Sequence, residues 1–201
     1  MTDAETRRPS ASEGRPLRAD ARRNRERVVD SARKAFATDG SAATLEAIAA
    51  DAGVGIGTLY RHFATRELLV EAVYAAELDK AVESAGELLD LLPPDQALRE
   101  WMRRYGAFTA TKSGMLDTLR AGWSSGRLDP PVTRERVTGA VGSILEVGAA
   151  DGTLRADVRA DDVTSMLLGI FLATARNESP EQTERLLDLL SDALRPAGRS
   201  A

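Results

Sequence analysis

The stretch 44–63, TLEAIAADAGVGIGTLYRHF, constrains this chain more than any other, because it sets two short apolar stripes on either side of a glycine. Leu45, Ile48, Ala49 and Ala52 recur at helical spacing before Gly53 interrupts them, and Thr44 stands where an N-cap is expected. Leu59 and Phe63, four residues apart, share one face of a second short helix, while Gly57, Thr58, Arg61 and His62 project elsewhere. One side of that helix packs, and the other is free to touch something outside. A short helix, a glycine turn and a second short helix make a helix-turn-helix, the unit that lays its second helix in the major groove of duplex DNA.

The flanking pattern is helical as well. Val28, Val29, Ala32, Ala35 and Phe36 form the inner face of a first helix over about 20–38, ending near Asp39 and Gly40. Thr65 caps a longer helix to Leu92, with Leu68, Leu69, Ala72, Val73 and Ala76 facing inward, until Pro93 and Pro94 stop it. Beyond them the periodic segments are 95–111, 114–124, 131–150, 161–176 and 180–195, and no strand pattern competes. Asp161 is the expected cap of one helix, and Ser179-Pro180-Glu181-Gln182 opens the last. The fold class expected is all-α: a disordered tail over 1–18, a three-helix head over 19–64, a second helical domain over 65–196 entered through a linker helix over 65–92, and a disordered tail over 197–201.

Charge is unevenly spread. The net charge is −4, yet residues 1–70 hold 12 Lys/Arg against 10 Asp/Glu, and the arginines crowd at Arg15, Arg18, Arg22, Arg23, Arg25 and Arg27. Positive charge at the start of a helix opposes the helix dipole, so backbone phosphates are the expected partners of Arg22 to Arg27. The chain has no cysteine, and with it no disulfide or thiolate metal site, which fits a reducing cytoplasm. Neither a signal peptide nor an apolar run of membrane-spanning length is present, so a soluble, cytoplasmic protein without a membrane partner is expected.

Taken together, TLEAIAADAGVGIGTLYRHFATRELLVEAV resembles the DNA-binding signature of the tetracycline-repressor (TetR) family of one-component regulators. The match covers roughly 21–75, with the Thr entry, the AGV turn and the LYRHF core in order. Gly55 departs from it, standing where many relatives carry a serine, so that a backbone amide is left to serve there. The resemblance implies an N-terminal helix-turn-helix DNA-binding domain and a C-terminal ligand-binding and dimerisation domain. A homodimer on double-stranded DNA, a palindromic operator and an unidentified small-molecule effector are the expected partners, and a ligand-released repressor the expected function.

Candidate DNA contacts follow from chemistry. Tyr60 and His62 each offer one donor to a phosphate oxygen, although the Tyr60 ring also borders the Leu59 and Phe63 stripe. Arg61 has the planar fork that reads guanine O6 and N7. Gly57 permits close approach to base edges, and Thr58 brings a hydroxyl and a methyl. Ile56 sits either at the core edge or, by the family's pattern, against bases. Thr44 and Arg66 begin their helices and are expected to clamp phosphates on either side, where helix amides also favour anions.

Two features of the second domain point to partners. Trp101, Met102, Tyr105, Phe108, Met115, Leu119 and Trp123 gather most of its aromatic surface, either as the wall of an effector pocket or as plain core, with Thr109, Lys112 and Asp117 nearby. The run 163–175 is apolar nearly all round, so it needs two covered sides. Val163, Leu167, Ile170, Phe171, Leu186 and Leu190 are either the inner core of a single chain or the candidate residues of a two-fold interface.

Catalysis is not expected. The chain has one histidine, outside the second domain and without a Glu three residues before it, so a di-iron site cannot form, and no cysteine nucleophile exists. Neither a GxGxxG nor a GxxxxGK[ST] loop occurs, so no cofactor and no metal are implied. The competing reading is an all-helical adaptor or scaffold without DNA binding.

Overall fold

The structure is a computed structural model describing residues 14–113, 115–175 and 180–196. Its elements are α1 (Gly14–Asp39), a 3-10 turn (Gly40–Ala42), α2 (Leu45–Asp51), α3 (Ile56–His62) and α4 (Arg66–Leu91). They continue as α5 (Pro94–Ser113), α6 (Leu116–Ser124), α7 (Pro130–Asp151), α8 (Ala160–Thr174) and α9 (Pro180–Ala193), with no strand among the described residues.

The head is built as the apolar spacing anticipates. Val28, Ala32 and Phe36 of α1 close over Ile48 and Ala49 of α2 and over Leu59 and Phe63, all buried. The Thr44 hydroxyl accepts from the Ala47 amide at 3.2 Å, satisfying one of the first-turn donors of α2. Gly53, at φ 64°, makes the turn between α2 and α3, a left-handed conformation that favours glycine. Thr65 caps α4 by accepting from the Leu68 amide. The Glu67 carboxyl beside it is held below its ordinary pKa, first by its own backbone amide and then by the Thr65 hydroxyl.

Three local expectations change. Helix α1 begins at Gly14, taking in the last residues of the stretch expected to be tail; 1–13 and 197–201 lie outside the described residues, as does Ser179. Helix α8 is capped at Arg159 rather than Asp161. Asp161 lies in the first turn, its carboxylate drawn to Arg134 of α7. Leu68 is exposed, because the buried stripe of α4 runs one residue later, through Leu69, Val70, Val73, Tyr74 and Leu78.

Helix α4 is the axis of the molecule, packing on α1 behind it and on α5, α6 and α7 beyond. At the far end of α7, Gly152 turns the chain at φ 79°, and Leu154 folds back so that its amide donates to the Gly148 carbonyl at 2.9 Å. A Cβ on Gly148 would stand 2.5 Å from Leu154 Cδ1 and 2.9 Å from its Cβ, too close for a rotamer change to relieve. Gly148→Ala is therefore expected to destabilise the protein by about 1–3 kcal/mol in urea unfolding. Gly139→Ala on the same helix, with open space around it, is expected to be neutral or to stabilise by up to about 1 kcal/mol through helix propensity.

Candidate nucleic-acid interface and cavity

Helix α3 divides cleanly. Leu59 is fully buried, whereas Ile56 is 38% and Tyr60 47% exposed, and Gly55, Gly57 and Arg61 share the open side. Nothing stands within 4 Å of the space a Cβ would take at Gly55 or Gly57, so a foreign surface can come to the backbone there. Ile56 points outward, away from the core edge. His62 is half-buried, its ring tilted beside that of Phe63 at 6.4 Å.

Arg61 lies along its own helix, with Nε donating to the Gly57 carbonyl at 3.2 Å and Nη2 to Thr58 Oγ1 at 3.0 Å. Reaching a base requires it to leave those two exposed bonds, each a weak competitor in water. Thr44 accepts the Ala47 amide and keeps its own hydroxyl proton to donate outward.

Arg66 is a correction. Its guanidinium donates to the carbonyls of Ala43, Gly40 and Ser41 and lies over the Phe36 ring at 4.9 Å. Those carbonyls lie in and just after the 3-10 turn, so the guanidinium is engaged inside the head as a clamp rather than held out toward a phosphate in this structure. On α1, Arg22 pairs with Glu26 and Arg23 with Asp20, loose exposed pairs that a phosphate can displace. Arg25 lies over the Phe63 ring at 5.0 Å, and Arg27 reaches beside Gly53, so both guanidiniums stand next to the helix-turn-helix.

In the second domain a cavity of about 610 Å³ opens between α4, α5, α7 and α8, with Trp123 of α6 at its wall. Tyr105 and Trp123 line it as expected. Trp101, Met102, Phe108, Met115 and Leu119 do not, being buried in the core. The stripe of α5 turns toward α4, where Trp101 Nε1 donates to the Ala81 carbonyl at 2.8 Å.

Much of the rest of the wall comes from residues that sequence alone did not gather, among them Tyr74, Thr133, Arg134, Thr138, Thr164 and Leu168. Tyr74, the single aromatic residue of α4, was the one available signal. Its hydroxyl donates to Thr133 Oγ1 at 3.1 Å, and burial pushes its phenol pKa up. Burial likewise pushes Tyr105 up to about 12. Lys112 lines the cavity with Nζ 5.1 Å from the Trp123 ring centre, and burial pulls its ammonium pKa down. Thr109 instead donates back to Gly106, and Asp117 is exposed beside Arg120.

The residues expected at a two-fold interface are unevenly exposed. Val163, Leu167 and Leu190 are buried within the chain, while Ile170, Phe171 and Leu186 are half-buried, Ile170 and Phe171 against the same core. The side of α8 left outside carries Met166, 52% exposed, and Leu172, 67% exposed, flanking Gly169; α9 adds Leu189 at 65%. An all-apolar helix has two faces, and its own core takes the one bearing Val163 and Leu167. Among the described residues no acidic or histidine group is arranged to hold a metal, and no helix is long and apolar enough to cross a membrane.

Comparison with known proteins accords with both halves. Residues 28–73 match the model of bacterial regulatory proteins of the tetR family, and residues 93–196 match the C-terminal domain of SbtR-like transcriptional regulators. A TetR transcriptional regulator of Streptomyces coelicolor is 43% identical, with a TM-score of 0.78 over 86% of this chain and 99% of its own. A TetR regulatory protein of Mycobacterium vanbaalenii is 34% identical, with a TM-score of 0.72 over 90% of this chain and all of its own. An HTH-type transcriptional regulator of Staphylococcus aureus is 39% identical over 64 residues, which cover 31% of this chain and 35% of that protein's length.

Proposed function

The chain belongs to the TetR family of bacterial transcriptional regulators and carries a DNA-binding helix-turn-helix, and from that premise we propose that it is a homodimeric repressor released by a small molecule. The observation that carries the reading is the open side of α3, where Ile56, Gly57, Tyr60 and Arg61 stand exposed on a helix whose other side is buried. Arg61 reads a base edge, Tyr60, His62 and Thr44 hold phosphates, and Arg25 and Arg27 add salt-dependent affinity. Met166, Leu172 and Leu189 pair with their copies about a two-fold axis, so that two heads meet a palindromic operator in the cytoplasm.

Helix α4 supports the coupling. Its first turn holds the head through Arg66, and Tyr74, two turns on, is in the cavity wall and bonded to α7. A ligand that moves Tyr74 against Thr133 therefore tilts the helix on which the head rides. Effector and operator then oppose each other through one coupling free energy, felt equally in both directions.

The experiment is to recover the genomic fragments that purified protein retains and to titrate them at two salt concentrations. The expected result is a two-fold symmetric site whose affinity falls by about 10³ or more between about 0.05 and 0.2 M salt. Retention of no fragment above background would leave the scaffold reading in place. Within such a site, Arg61→Ala is expected to relax preference at one base position, worth about 1–3 kcal/mol, while Tyr60→Phe and His62→Ala weaken all sequences alike. Equal loss of specificity in all three variants would contradict this division of roles.

A further inference from the structure

The cavity beside α4 has an unusual account of protons and charge. Tyr74 donates to Thr133, and Thr133 to the Asp129 carbonyl. Thr138 donates to Thr164, and Thr164 to the Ala160 carbonyl. Four of the lining hydroxyls, those of Tyr74, Thr133, Thr138 and Thr164, have thus given their protons to the protein itself. Arg134 is neutralised, its Nη2 being 2.7 Å from Asp161 Oδ1 and bonded to Ser165. Glu135, the other acid of the lining, is exposed at the rim.

Lys112 is the exception among the lining cations. Among the described residues no carboxylate lies within salt-bridge distance of its ammonium, which rests on the face of Trp123. Its half-burial is opposed by no neighbouring charge. A half-buried cation resting on an aromatic face, with no carboxylate beside it, costs free energy until an anion joins it.

We infer that the effector is a small organic monoacid, its carboxylate paired with the Lys112 ammonium and its apolar body against Trp123, Tyr74, Tyr105 and Leu168. The inference rests on the reading of this cavity as the effector site. A single unneutralised ammonium matches a single negative charge, because Asp161 already holds Arg134. The cavity volume suits a molecule of ordinary effector size.

The test uses two matched pairs of probes by calorimetry near neutral pH: 1-naphthylacetate with 1-naphthylacetamide, and octanoate with octanamide. Wild-type protein is expected to bind each acid about tenfold or more tighter than its amide, as a charge-assisted bond to a half-buried ammonium requires. Lys112→Met, which keeps the apolar stem, is expected to abolish that preference while leaving amide affinity nearly unchanged, with thermal unfolding as the check that the fold is intact. Equal affinity for acid and amide in wild-type protein overturns the inference without any variant, as does a preference that survives Lys112→Met. Both of those outcomes leave the cavity standing as an effector site. Binding of neither pair counts against that site altogether, and the inference falls with it.

Discussion

Leu172→Asp is expected to give a folded monomer that has lost its operator affinity by about 10²-fold or more, because two tethered heads bind with an avidity that one head lacks. The side chain is 67% exposed, so the chain's own core does not feel the change. Across a two-fold interface it is felt twice, since each copy must bury a carboxylate against apolar Met166 or Leu189 of the other, or against the other's own introduced carboxylate. Sedimentation should report half the wild-type mass, with the helical circular dichroism and the melting curve of the lone chain retained. The same charge at Leu167, which is fully buried, should instead unfold the protein. A Leu172→Asp protein that remains dimeric and binds DNA normally would move the interface away from the outer faces of α8 and α9.

Arg66→Ala is expected to destabilise the head by about 2–3 kcal/mol, since charge-assisted bonds to backbone carbonyls are among the stronger ones. The carbonyls of Gly40, Ser41 and Ala43 lose a charged donor, and the Phe36 ring loses the guanidinium above it. Arg66→Lys should recover only part of this, because one ammonium cannot span the acceptors that a planar fork reaches. Urea unfolding and hydrogen exchange over residues 40–66 measure the loss. DNA titration then separates the two roles open to this arginine. A clamp leaves the slope of log affinity against log salt unchanged, whereas a lost phosphate contact lowers it by about one. Unchanged stability with a lowered slope would return Arg66 to the DNA.

The contrast between these two residues marks where sequence reasoning stops. Arg66 was reached by its position at the start of a helix, which is a local property, whereas Leu172 stands out from the apolar run 163–175 only by its exposure in the fold. Thr44 and Thr65 were legible as caps because an N-cap bonds an amide three residues away, within reach of spacing arguments. Arg66 was not legible as a clamp, because its acceptors lie more than twenty residues back and meet it only when α1 and α4 pack. The cavity failed in the same way. Trp101, Met102 and Phe108 share a stripe with Tyr105, but only the crossing of α5 with α4 and α7 decides that Tyr105 meets open space and Trp101 meets Ala81.

By itself the sequence determined the helices, their order and most of their ends, the glycine turn at Gly53 and the division of α3 into a packed and an open side. Each depends on spacing, capping or backbone freedom within a few residues. Only the tertiary structure decided which face of α8 is covered, which aromatic residues border the cavity, that Lys112 stands there without a carboxylate, and that Arg66 serves the head. Those outcomes depend on the angles at which distant helices cross, and a helix's own periodicity says that a face must be buried without saying what will bury it.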